Sequence, residues 1–117
     1  NRNVKNVESC SNTRFSRSFN SNFFFSGLSV GWDSTPRFLE QGADKVTCWN
    51  QTPEAFASFV QTAKEWADAH ADTQPKFIML NAWNEYVEGS HLLPDRRNGF
   101  GYLQAVRDVL DGKYEIK

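Results

Sequence analysis

The chain has 117 residues, 39% hydrophobic and 15% aromatic, with a formal net charge of −1. That balance excludes wholesale disorder, and the near-zero charge gives no electrostatic basis for binding nucleic acid or an anionic membrane surface. No apolar run approaches the ~18 residues of a membrane span.

The sequence opens without Met and without a charged start leading into an apolar signal core, so the expectation is a segment of a longer protein. Cys10 and Cys48 are too few for a disulfide framework and lack the CxxC spacing of a zinc or redox site. One disulfide between them stays open beside two free thiols, and neither reading assigns a compartment.

Residues 1–22 are rich in Asn, Ser and Arg. They carry four Lys/Arg against one acid, leaving nine against thirteen in the rest. They show neither a helical nor a strand period and read as a disordered or remnant segment whose packing partners lie upstream. Four scattered charges do not make a nucleic-acid arm.

The second unit, 23–117, opens with Phe23 to Val30, an apolar run closed by Gly31, which predicts a buried strand. Residues 31–51 hold Gly, Pro, Asp, Ser and Asn in quantity and read as a long loop, a class that is often functional. Asn50-Gln51-Thr52 is a glycosylation sequon, but Pro53 follows it and Thr52 has a simpler role. Thr52-Pro53-Glu54 predicts a helix start: a capping hydroxyl, a proline at the first helical position and an acid at the positive dipole end. Phe56, Phe59, Val60, Ala63, Trp66, Ala67 and His70 then form one apolar stripe, giving a helix over 53–71. His70 on that stripe reads as a packed or C-terminal helix residue, and Trp49 and Trp66 as core.

Pro75 interrupts the chain, and Lys76 to Ala82 predicts a second buried strand. Residues 83–98 read as another polar loop. A last helix follows from about 99 to 110, with Tyr102, Leu103, Val106, Val109 and Leu110 facing the core and Gly112 as its stop. This order predicts two parallel strands joined by a helical crossover. Both long loops then lie at the carboxyl ends of the strands, where such folds bind ligands. Two strands cannot close a barrel, and they leave a sheet edge and helix faces open, a second reason to expect truncation.

The densest polar-aromatic cluster is residues 81–91, Asn-Ala-Trp-Asn-Glu-Tyr-Val-Glu-Gly-Ser-His. Paired carboxylates are the equipment of glycoside cleavage, one protonating the leaving oxygen while the other works on the opposite side. Trp83 and Tyr86 offer ring faces to sugar C–H groups, and Asn84 offers both a donor and acceptors to hydroxyls. Two glutamates in a loop are, as a rule, only solvated charges; the strand end and the neighbouring Trp83 and Asn84 raise the catalytic reading of Glu85 and Glu88. Trp32, Asp33 and Arg37 in the first loop are further sugar-contact candidates, set against an internal Asp33–Arg37 pair that only braces the loop. His91 reads as a loop-packing residue before a catalyst.

Residues 81–89 resemble the N-A-W-N-E-W-x-E-G signature of the WbsX-like family, which is related to the family 99 endo-mannosidases. His91 to Asp95 is similar to the segment that follows it there, and Gly99, Gly101, Tyr102 and Leu103 to the family's G-x-x-Y-L helix start. Upstream, Gly31 to Arg37 resembles its G-W-D-N-T-x-R loop and Thr52-Pro53-Glu54 its T-P-E start. Tyr86, Leu93 and Ser34 depart from the usual Trp, Glu and Asn. The resemblance covers about residues 28–110.

It implies an α/β fold, the last two βα units of a truncated TIM-like (β/α)8 barrel. It implies Glu85 acting on the sugar 2-hydroxyl, through an anhydrosugar intermediate, and Glu88 as general acid and base. It implies an oligo- or polysaccharide substrate and neither cofactor nor metal. The expected parent is a glycoside hydrolase, with this segment inactive by itself for want of the N-terminal barrel strands. The alternatives are a glycosyltransferase of cell-surface polysaccharide synthesis, and an inactive fragment or sugar-binding module. A nucleotide-sugar enzyme calls for a Gly-rich phosphate loop or an acidic metal motif, and these residues show neither.

Overall fold

The computed structural model describes residues 4–6, 26–37, 47–49 and 51–115, with 4–6, Thr47 and Trp49 as backbone only, so that the core expectation for Trp49 lies outside the described side chains. The elements in chain order are β1 (Val4–Asn6), β2 (Ser26–Ser29), a 3-10 turn (Thr35–Arg37), β3 (Thr47–Trp49), α1 (Pro53–Ala69), β4 (Ile78–Asn81), β5 (Asn84–Glu85), a second 3-10 turn (Tyr86–Glu88), β6 (Ser90–His91) and α2 (Gly101–Leu110).

The helix between the long strands starts where its sequence predicts. Thr52 has extended backbone (φ −127°, ψ 152°), and its Oγ1 accepts from the Ala55 amide at 3.1 Å. This satisfies one of the amides a helix start leaves without a partner. The helix ends at Ala69, two residues short of the expected stop. There the His70 ring stacks on Trp66 at 4.2 Å, and His70 Nδ1 lies 2.7 Å from the Trp66 carbonyl oxygen. Asp68 sits between Lys64 (2.7 Å) and Lys76 (2.6 Å), tying the end of α1 to the approach to β4. Hydrogen bonds from these two ammonium groups hold its carboxyl at about 2.

β2 and β4 pair in parallel, Ser26 opposite Ile78 through Ser29 opposite Asn81, with α1 as the connection. The result is mixed α/β. The core lies on one face of this pair, where Leu28 and Val30 meet Phe56, Ala57, Val60 and Ala63 of α1 and Tyr102, Ala105 and Val109 of α2. The Phe56 ring meets Tyr102 edge-on at 5.8 Å.

Four expectations need correction. β4 is not buried on both sides: Phe77 and Met79 are 54% and 52% exposed, because both helices pack on one face and no described element covers the other. Leu110 is exposed rather than facing the core, whose last position on this helix is taken by the fully buried Val109. The loop 31–51 contains β3, and residues 1–22 contribute β1, the two pairing in parallel from Val4↔Thr47 to Asn6↔Trp49. Three-residue strands are too short to show a period. The remainder of 1–22, residues 23–25 of the first predicted strand, and Asn50 of the sequon lie outside the described residues. The described strands form three two-stranded sheets and no closed barrel. No helix among the described residues is long and apolar enough to cross a membrane.

Cys48 is buried and disulfide-bonded; Cys10 lies outside the described residues.

Candidate functional site

β4 ends at Asn81, and the chain leaves the sheet through a cis Asn81–Ala82 peptide into a small hairpin. Asn84 pairs with His91 and Glu85 with Ser90, antiparallel. Between them the 3-10 turn Tyr86–Glu88 closes on Gly89, whose φ of 61° is left-handed, and the Gly89 amide donates to the Tyr86 carbonyl at 3.1 Å. A β-carbon would be strained in that conformation.

The hairpin root is pinned by hydroxyls. Ser90 is fully buried; its Oγ donates to the Asn81 carbonyl at 2.7 Å, accepts from Asn81 Nδ2 at 3.1 Å, and lies 2.9 Å from Ser29 Oγ. The ends of β2 and β4 are thereby joined to the hairpin. The Leu92 amide adds a backbone link to the carbonyls of Ala82 and Trp83 at 3.0 and 3.1 Å.

The first loop reaches the second by main chain and by charge. The Asp33 amide donates to the Glu88 carbonyl at 2.7 Å. Asp33 Oδ1 accepts from the Thr35 amide at 2.9 Å, and the Arg37 amide donates to Ser34 O at 3.0 Å, forming the short turn that delivers Arg37. The Arg37 guanidinium then meets both glutamates: Nη2 donates to Glu85 Oε1 at 3.1 Å, and Nε lies 3.5 Å from Glu88 Oε1. The glutamates are not equivalent. Glu85 receives the hydrogen bond and is 39% exposed, whereas Glu88 is held at longer range and is 17% exposed.

Glu85, Glu88 and Arg37 therefore come together, with Asp33 joined to them through its backbone. The bracing alternative is answered in part: the ion pairs of Arg37 run to the glutamates, while Asp33 turns its Oδ1 to Thr35. Trp83 and Tyr86 are 58% and 47% exposed and Asn84 is exposed. The Tyr86 hydroxyl donates to the Pro94 carbonyl at 3.0 Å. Trp32 is half-buried, and its carbonyl accepts from the Cys48 amide at 2.7 Å, which places β3 beside the loop.

Two large concavities lie elsewhere. One, of about 390 Å³, is lined by Val60, Ala67, Phe77, Ile78, Leu80 and Val106. The other, of about 510 Å³, lies between the leading ends of α1 and α2. Neither is lined by Glu85 or Glu88. No group of three or more His, Cys, Asp or Glu among the described residues has a geometry that could hold a metal ion.

Sequence reasoning missed the supports of this hairpin. Ser29 and Ser90 are 61 positions apart and carry no local signal of their contact. His91 does pack the loop, and it also contacts Asp95: Nε2 lies 3.1 Å from Asp95 Oδ2. Burial pushes the Asp95 carboxyl up, but hydrogen bonds from the Asn98 amide and side chain, the His91 ring and the Arg97 amide outweigh it and hold the group at about 2. Burial pushes the Tyr102 hydroxyl up to about 12.

A family model described as "Glycosyltransferase WbsX" matches residues 1–106. Two curated proteins of Xanthomonas campestris pv. campestris, from different strains and each named "Uncharacterized protein WxcX", are 30% identical over 86 residues. The aligned segment is 74% of this chain and 12% of each relative, so the chain spans a small part of the proteins it resembles. No solved structure gives a significant match.

Proposed function

This chain belongs to the WbsX glycosyltransferase family, and on that premise we propose that its Glu85–Glu88 pair breaks glycosidic bonds of an oligo- or polysaccharide. The carrying observation is that one guanidinium, Arg37, draws both carboxylates together just past the carboxyl end of β4. In parallel α/β folds that is the end where ligands bind.

In this reading Glu85 takes the proton of the sugar 2-hydroxyl while that oxygen attacks C1. Glu88 gives its proton to the departing glycosidic oxygen, leaving a 1,2-anhydrosugar. Water then attacks C1 and gives its proton to Glu88, and Glu85 returns its proton to O2. The inequivalent surroundings of the two groups suit a base and an acid working side by side. Exposed Trp83 and Tyr86 give ring faces for the sugar, with Asn84, Trp32, Asp33 and Arg37 as polar and aromatic contacts beside them. The two βα units are taken as the last two of a TIM-like barrel, whose other strands complete the sugar-binding walls.

The family description favours a second reading, glycosyl transfer in polysaccharide synthesis. The same pair serves it if a sugar hydroxyl replaces water in the second step. The test uses full-length protein on oligosaccharides with dinitrophenyl or unactivated aglycones, with and without an acceptor sugar. Glu88→Gln should lose ~10²–10⁴-fold on the unactivated substrate and much less on the activated one, whose bond breaks with little protonation. Glu85→Gln should slow both. Product elongated by the acceptor marks transfer; free reducing sugar marks hydrolysis. Wild-type rates in both variants would end the enzymatic reading of the pair.

A further inference from the structure

Resting on that reading of the glutamates, we propose that His91 is a positioning residue for them, anchored by Asp95 and acting through the ring of Tyr86. Tyr86 opens the turn that ends on Glu88. Its ring lies on the His91 imidazole at 4.4 Å and 28°, a stacked pair, and the far edge of His91 meets the ring of buried Tyr102 on α2 at 6.3 Å and 84°. His91 is thus clamped between the glutamate turn and the scaffold helix, with 14% of its side chain exposed.

Its orientation is fixed by Asp95. One oxygen, Oδ1, accepts from the amides of Arg97 (2.7 Å) and Asn98 (2.6 Å), closing the turn that leads into α2. The other, Oδ2, faces Asn98 Nδ2 at 3.2 Å and His91 Nε2 at 3.1 Å. A carboxylate so surrounded can only accept, so the ring proton of this contact sits on Nε2. In the neutral ring Nδ1 is then a bare acceptor, and it is buried with no protein partner. The arrangement runs without a gap from the start of α2 through Asp95, His91 and Tyr86 to Glu88. The His91 side chain makes no hydrogen bond or ion pair with either glutamate among the described residues, so its effect passes through the stacked ring.

The experiment uses full-length protein and the oligosaccharides with unactivated aglycones above, whose leaving oxygen needs the proton of Glu88. His91→Leu fills the site without a flat ring or a donor. His91→Phe restores the ring but leaves Asp95 without its imidazole donor. His91→Leu is expected to lower kcat ~10–100-fold, the scale of a misplaced catalytic group, with a smaller rise in KM because the Tyr86 ring also faces the sugar. His91→Phe should recover most of kcat while melting at lower temperature, so that rate and stability part company. Should His91→Leu not fold, Asp95→Asn serves in its place. Its amide oxygen still caps the turn but its nitrogen cannot accept from Nε2, and kcat should fall by more than KM rises. Full kcat in His91→Leu or its substitute, a loss confined to KM, or a Phe variant no better than Leu overturns the inference. Glu85→Gln and Glu88→Gln run alongside: if they keep wild-type rates, or wild type turns nothing over, the glutamate reading falls and takes this one with it. Dead glutamate variants with unimpaired His91 variants sink the positioning role alone.

Discussion

Nη2 of Arg37 lies 3.1 Å from Oε1 of Glu85, although 48 positions separate them in the chain. The contact joins the loop after β2 to the hairpin after β4. Among the described residues the charge pairs between the two loops all run through Arg37, since Glu88 meets the same guanidinium.

Removing that guanidinium should therefore cost function more than stability. Arg37→Met keeps the stem and leaves two carboxylates facing one another. The pairs are 45%, 39% and 17% exposed at Arg37, Glu85 and Glu88, so solvent screens them, and thermal melting should register a loss of only ~0–1 kcal/mol. Turnover in the full-length protein should drop at least ~10-fold. Arg37→Lys should not restore it fully, because an ammonium is a point charge and cannot address two partners with a fixed fork.

Asp95 predicts an acid limb. Its carboxyl is held at about 2 in the fold against an ordinary value of 3.8. Between those values the unfolded chain binds the proton more readily, so this contribution is present above ~4 and fades as pH falls toward 2. Hydrogen exchange at the Arg97 and Asn98 amides, followed against pH, should show protection disappearing in that window. Asp95→Asn should flatten the dependence.

Gly101 predicts a steric limit between the helix starts. A β-carbon there would sit 2.6 Å from Cγ of Pro53, the first residue of α1. A ring at the start of a helix has nowhere to move, so Gly101→Ala should destabilise by ~1–3 kcal/mol by levering α2 off α1. Denaturant unfolding measures it. A variant as stable as wild type would mean that the contact relaxes freely.

Phe56 predicts the core's centre. It is 0% exposed and meets Tyr102 edge-on, so Phe56→Ala should cost ~3–5 kcal/mol. Phe59→Ala, only partly buried at the rim of the same cluster, should cost markedly less. Equal losses would relocate the core.

Much of this was legible because it is local. A capping threonine and proline announce α1 at Thr52 and Pro53, and a 3.6-residue period announces the buried face that Phe56, Val60, Ala63 and Ala67 form. The parallel pairing of β2 with β4 followed from the alternation of strand and helix. β1 and β3 escaped because three residues cannot display a period, and the exposure of Phe77 and Met79 escaped because an apolar run does not say how many of its faces a neighbour covers.

The sequence alone determined the residue types of the candidate site, the spacing of Glu85 and Glu88 and their place just beyond a strand, since these depend on neighbours in the chain. Tertiary structure alone decided that Arg37 turns to the glutamates while Asp33 turns to Thr35, that Ser29 meets Ser90, and that Asp95 fixes His91 under Tyr86. The contacts of Arg37 and Ser29 join groups 48 to 61 residues apart. The contacts of His91 with Asp95 and Tyr86 span only four and five residues, but they depend on where the turn before α2 lies against the hairpin. Distance, orientation and desolvation select such partners, and these exist only once β2 and β4 are paired and both helices are packed on one face.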